Sequence, residues 1–274
     1  MKKIPKQNLK KYEGRTKAYR QFMQHFWRTK KLLDAGITGL EEERKPIENI
    51  SAKFDNVKAP RGKPPKNYAP SIKLTKSDNK EKGTISLRMD PRSAIIMKKA
   101  VSYQLGAHKN LNYHYHAIMC VSIWGSYETY LYMLFEELFS KQPRMLKTNE
   151  SISYNEAFMH KDNIVKYLSE KSLKKIGHFN LTESLSYLKE KINFKYTKQR
   201  ENNLHKIYLI RNIVAHNSGV LRPGQEKEIP QGIAIKENEL RISRTYLKRI
   251  HSIIKASVTI LEKHVEEKFY KQNA

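Results

Sequence analysis

A chain of 274 residues with 53 Lys and Arg against 27 Asp and Glu has a formal charge of +26 and a pI near 9.9. Such an excess draws polyanions before any specific contact forms, so nucleic acid is the expected partner and no membrane is. A single cysteine excludes an internal disulfide framework, no long apolar run is present to span a bilayer, and the first residues lack the apolar stretch of a secretory leader; the expectation is a soluble cytoplasmic protein.

The positive charge is concentrated early, with 24 Lys and Arg against 10 Asp and Glu over residues 1–92. Residues 1–16 are basic and unpatterned and read as an arm. A short helix is expected over 17–35, with Phe22, Phe26, Leu32 and Leu33 on one side and Gly36 and Gly39 ending it. Within it Tyr19, Phe22, Phe26 and Trp27 interleave with Arg20, Arg28, Lys30 and Lys31, a pattern in which rings stack on bases and cations hold phosphates. Burial of the same rings against the body is the competing reading and the commoner fate of aromatics. Over 52–82, Pro60, Pro64, Pro65 and Pro70 predict an extended linker, either a domain boundary or an arm that wraps a partner. Its Arg61, Lys63 and Lys66 join the earlier cations as candidate nucleic-acid contacts.

Residues 84–89 alternate like one strand. Asp90-Pro91 then predicts a helix start, Asp as cap and Pro at the first position, running to about 104 and stopping before Gly106. His108, His114, His116 and Cys120 are all metal-capable side chains, but their spacing matches no closed zinc site, so no metal is expected. A helix over 111–140 is apolar almost all round, which predicts burial on several sides. Glu128 stands in the middle of that run, where a charge must be paired or costly, and Arg211 is its expected partner. Ser153-x-x-Glu156 and Asn180-x-x-Glu183 are capping boxes that open helices reaching about 176 and 193. Short loops between these helices suit neighbours in an antiparallel bundle. A further helix is expected over 197–217, then a small hairpin turning at Glu237-Asn238, then a closing helix over 244–270.

The helix over 197–217 differs from the others. Leu204, Ile207, Tyr208, Ile210 and Val214 give it an apolar stripe, yet Arg211, Asn212 and His216 are set into the run, with Asn217, Ser218 and Gly219 after it. Asn212 and His216 are four apart on one face, and Arg211 is about 7.5 Å of helical rise from His216. A guanidinium that grips phosphate through parallel bonds, beside an imidazole that changes protonation near neutral pH, suits phosphoester chemistry. Capping of the helix's last carbonyls by the same groups is the plainer alternative.

Arg211-Asn212, three residues and then His216-Asn217 resembles the signature of the HEPN superfamily (higher eukaryotes and prokaryotes nucleotide-binding), and residues 124–131, with Glu128 among them, look like that family's long apolar helix with an acidic residue. The likeness spans residues 110–271. With the patterning along the chain, the expectation is an all-α fold, an antiparallel four- to five-helix HEPN-like bundle over 93–274 with a small β-hairpin insertion; composition alone gives the basic, partly irregular extension over 1–92, which the likeness does not cover. The likeness implies a metal-independent endoribonuclease without cofactor, in which the RNA's own 2'-hydroxyl attacks the adjacent phosphate. His216 would move a proton, Arg211 would hold the phosphate, Asn212 would fix local geometry, and Glu128 and Asn217 would support them. It also implies a homodimer with a composite site, and a bacterial toxin or antiphage-defence effector restrained by an antitoxin or regulatory protein. A catalytically inactive HEPN-like module that binds nucleic acid or a partner is the alternative.

Overall fold

A computed structural model describes residues 15–58, 72–76, 85–147 and 152–271, with the backbone alone described over 72–76 and 85–89. Among the described residues the chain is an all-α helical bundle with two small antiparallel hairpins. Its elements are α1 (Lys17–Lys53), β1 (Ile72–Lys76), β2 (Ile85–Met89), α2 (Pro91–Lys141), α3 (Tyr154–Met159), α4 (Ile164–Ile176), α5 (Leu181–Ile192), α6 (Lys198–Asn217), β3 (Ala234–Lys236), β4 (Glu239–Arg241) and α7 (Arg244–Phe269).

Two compact units are present. One joins the residues up to Leu33 with those from Tyr115 onward; the other is Asp34–His114. The smaller unit has its own core of Phe54, Ala94 and Val101, against which Ile47, Val57, Met97 and Leu105 pack. That packing overrules two expected breaks. α1 continues through Gly36 and Gly39, and even contains Pro46, to end at Lys53; α2 continues through Gly106 as one helix of 51 residues. A glycine inside a helix costs only about 1 kcal/mol, less than burying one large apolar side chain returns. The strand expected at 84–89 is β2, and its partner is β1, in register from Ile72 opposite Met89 to Lys76 opposite Ile85. Part of the stretch read as an extended linker over 52–82 is therefore strand. Arg61, Lys63 and Lys66 lie outside the described residues.

In the larger unit α2 supplies the centre, with Ile123, Trp124, Tyr127, Tyr130, Leu134, Phe135, Leu138 and Phe139 all at most 2% exposed. Around them α6 buries Leu204, Ile207, Ile210 and Ile213, and α7 buries Leu247, Ile250, Ile254, Val258, Leu261 and Val265. The start of α1 is fixed here as well. Thr16 Oγ1 accepts from the Tyr19 N–H as an N-cap, and the first-turn N–H groups of Lys17 and Ala18 donate to Glu137 of α2 at 2.8 and 3.3 Å. Thr16 also donates through its N–H and hydroxyl to the buried Glu262 of α7, which accepts a third bond from Tyr130. The end of the expected arm is thus anchored at Thr16.

Candidate active site

Both capping boxes form as the sequence predicts, Ser153 with Glu156 and Asn180 with Glu183. The first opens only the short α3, and α4 starts separately at Ile164. The second fixes the beginning of α5, close behind the end of α4 at Ile176. α6 starts at the N-cap Thr197 and ends at Asn217, where Ser218 adopts φ 54° and Gly219 φ 84°. The Gly219 N–H returns to Ile213 O at 3.1 Å, satisfying a carbonyl of the last turn. Immediately beyond, Leu240 of β4 donates to Gly219 O at 2.9 Å and Leu221 donates to Asn238 O at 2.7 Å. The β3–β4 hairpin, turning through Glu237 and Asn238 at positive φ, therefore pins the terminus that carries His216.

A cleft of about 420 Å³ opens at that end. α6 lines it with Tyr208, Arg211 and His216; α2 contributes Trp124, Tyr127, Glu128, Leu131 and Tyr132; the α4–α5 connection and the start of α5 add His178, Phe179, Asn180 and Ser184. Its size is in the range that holds small organic ligands. Arg211 Nη2 lies 3.3 Å from both carboxylate oxygens of Glu128, while Glu128 Oε1 also accepts from Trp124 Nε1 at 2.7 Å. Glu128 is not enclosed, however. Its side chain is 43% exposed, because it projects from the cleft side of α2 rather than into the core. The burial expected all round α2 fails at Ile118 as well, which is 64% exposed.

Asn212 stands beside the cleft and does not line it. Its Oδ1 accepts from Arg211 Nη1 at 3.0 Å, so it holds one terminal nitrogen of the guanidinium while Glu128 holds the other. Arg211 Nε is buried without a partner among the described residues. Asn217 is likewise away from the cleft, its Oδ1 accepting from Arg222 Nη2 at 3.4 Å. His216 is exposed and its ring has no hydrogen-bond partner among the described residues. Arg211, His216 and Glu128 thus share one opening, while Asn212 and Asn217 tie down neighbouring arginines. Among the cleft residues that the sequence did not single out are His178 and Ser184. Both come from a different part of the chain, and no spacing to α6 marks them.

Two members of the histidine and cysteine cluster are built into the core. His116 is buried with Nδ1 2.8 Å from Ile242 O, next to the end of β4, and burial lowers its pKa. Cys120 is fully buried and burial pushes its thiol up to about 12, far from the thiolate a metal or nucleophile requires. No group of three or more His, Cys, Asp or Glu suited to a metal ion stands together among the described residues.

On α1, Arg20, Arg28, Lys30 and Lys31 are all exposed. Tyr19, Phe22 and Phe26 are not available for bases. They are 2–3% exposed, Phe22 stacks on Phe26 at 4.8 Å, and Phe26 stacks on His251 of α7 at 3.8 Å. Trp27 alone of these rings faces outward, 47% exposed, with Lys31 Nζ 5.4 Å from its centroid. No described helix is long and apolar enough to cross a membrane. No family model, no curated protein and no solved structure matches the chain.

Proposed function

We propose that the chain is a metal-independent endoribonuclease of the HEPN kind, acting in the cleft at the end of α6. The observation that supports this reading best is that Arg211 and His216 border one opening, with the guanidinium steadied by Glu128 and Asn212. A steadied guanidinium is a preorganised donor for the charge that builds on a phosphate's oxygens during transfer. The imidazole of His216, without a hydrogen-bond partner among the described residues, is free to accept or give a proton. The charge of +26 and the exposed cations of α1 supply the general attraction for RNA. A homodimer with two such α6 ends facing each other, a role as toxin or antiphage effector, and restraint by an antitoxin or regulatory protein belong to the same proposal through the resemblance of Arg211 to Asn217.

The test is incubation of the full chain with single-stranded RNA in the presence of EDTA. Cleavage leaving a 2',3'-cyclic phosphate is expected, falling about 10²–10⁴-fold for His216→Ala and about 10²–10³-fold for Arg211→Ala, with RNA affinity within about twofold of native. Turnover that vanishes with EDTA, or that survives both substitutions, refutes the reading. A second reading, a catalytically inactive module that binds RNA or a partner, is favoured by the engagement of both Arg211 Nη groups within the fold. Tight RNA binding without any cleavage by the native chain would select it.

A further inference from the structure

We propose that His178 is the second imidazole of this cleft, meeting the same phosphate as His216 and handling the second proton of the reaction; this rests on the nuclease reading for its chemistry but not for its anion.

Charge within the cleft motivates the inference. Among the described residues that line it, the side chains with fixed charge are Arg211 and Glu128, and these two are paired with each other. The pair cancels, so the lining offers a phosphodiester no net attraction unless an imidazole is protonated. Two imidazoles border the space, His216 from the end of α6 and His178 from the α4–α5 connection, and neither ring has a hydrogen-bond partner among the described residues. One protonated and one neutral ring would give the cleft a single positive charge, matching the single negative charge of a phosphodiester. The remaining ionisable side chains along the lining are the phenols of Tyr127, Tyr132 and Tyr208, of which Tyr127 has its pKa raised by burial.

The backbone beneath His178 is braced on both sides. Its N–H donates to Lys175 O at 2.9 Å and that of Phe179 to Ile176 O at 3.2 Å, closing the end of α4. Two residues on, the Asn180–Glu183 capping box locks the start of α5 with bonds of 2.7 and 2.9 Å. A connection this short and this bonded fixes the backbone from which the His178 ring reaches the cleft.

The chemistry needs two such groups. A neutral imidazole takes the proton of the 2'-hydroxyl as O2' bonds to phosphorus; the bond from phosphorus to O5' breaks, and the protonated imidazole gives its proton to O5'. The products are a 2',3'-cyclic phosphate and a 5'-hydroxyl, and one proton has passed between the two histidines' sides of the cleft. His178 thus supplies within one chain the second group that a composite site would take from a second copy.

The experiment uses the full chain, with ring resonances of His178 and His216 assigned through His178→Gln and His216→Gln, titrated with uridine 3'-monophosphate; RNA cleavage is followed in parallel across pH. Both rings are expected to shift along one binding curve. The bell-shaped dependence of kcat on pH should lose one limb in His178→Gln and the other in His216→Gln, with kcat down about 10²–10⁴-fold and KM within about twofold. A His178 ring that stays still while His216 responds, or a His178→Gln variant that keeps the full bell, overturns the proposal while leaving the nuclease reading intact. Absence of cleavage by the native chain, with both rings shifting together, does the reverse: the nuclease reading falls and the two-imidazole phosphate site stands.

Discussion

Arg211 holds two neighbours at once, Asn212 through Nη1 at 3.0 Å and Glu128 through Nη2 at 3.3 Å, and only a planar fork of donors can do both. Lysine at this position keeps the charge but loses the fork. Arg211→Lys is therefore expected to lower the RNA cleavage rate about 10²-fold, approaching the loss in Arg211→Ala, while RNA affinity measured by anisotropy stays close to native. A lysine variant with full activity would mean that charge alone is required there and that the bonds to Asn212 and Glu128 are incidental. Much of this constellation was legible in the sequence because Arg211, Asn212 and His216 ride on one helix, whose period fixes their spacing whatever surrounds it. The pairing with Glu128 was legible as a charge needing a partner, but its exposure was not, since the side of α2 it takes is decided by where α6 packs. His178 was illegible for a related reason. It reaches the cleft through the packing of α4 and α5, and no spacing within one element encodes that.

At the scale of elements, α1 begins where two carboxylates from other helices receive its first N–H groups, and those carboxylates titrate in opposite senses. Burial raises the pKa of Glu262, outweighing the bonds from Thr16 and Tyr130 that lower it. Burial also raises Glu137, but there the Tyr270 hydroxyl, the Ala18 and Lys17 N–H groups and Lys141 prevail and the pKa ends below the ordinary value. A raised carboxyl contributes stability that is present below its unfolded pKa and is lost as pH rises through the folded value; a lowered one contributes stability that is present above the unfolded pKa and is lost as pH falls through the folded value. Compared with the native chain, the deficit of Glu262→Gln should therefore grow on acidification from about pH 7 to about pH 4, and that of Glu137→Gln should shrink from about pH 5 to about pH 3. Urea unfolding across those ranges reads both slopes, and parallel slopes for the two variants would contradict the assignment. Glu262→Leu, which strands three buried donors, is expected to cost on the order of 3 kcal/mol at neutral pH. Caps were readable from sequence at Asp90, Ser153 and Asn180 because the capping residue and the N–H it serves are neighbours in the chain. These tertiary caps were not, since Thr16 and Glu262 are 246 residues apart. Helix lengths failed for the same reason at Gly36 and Gly106, where local preference lost to the apolar contacts of Ile37, Val101 and Leu105.

For the whole molecule, composition foretold the charge but not the division of the chain. The compact units part between Leu33 and Asp34 and between His114 and Tyr115, inside two uninterrupted helices, where no change of composition or proline run marks a boundary. The first half of α1 consequently belongs with the unit that carries the cleft, and its exposed cations are part of that unit's surface. Turning 100° per residue, Arg20, Trp27 and Lys31 fall within roughly 40° of one another about the α1 axis, with Arg28 and Lys30 on either side. A strand of RNA tracking this face would release counterions as it binds, at about 0.7 per phosphate neutralised on a single strand. Reversing Arg28, Lys30 and Lys31 together to Glu is thus expected to weaken binding and to lower the slope of log Kd against log salt by about 2 between about 50 and 200 mM salt. His216→Ala, which removes no fixed charge, should leave that slope where it is while lowering cleavage about 10²–10⁴-fold. An unchanged slope in the triple variant would place the electrostatic footprint elsewhere on the chain and leave Trp27 and its neighbours as ordinary surface; a lowered slope would tie the charge of +26 to a defined face of the unit that holds Arg211 and His216.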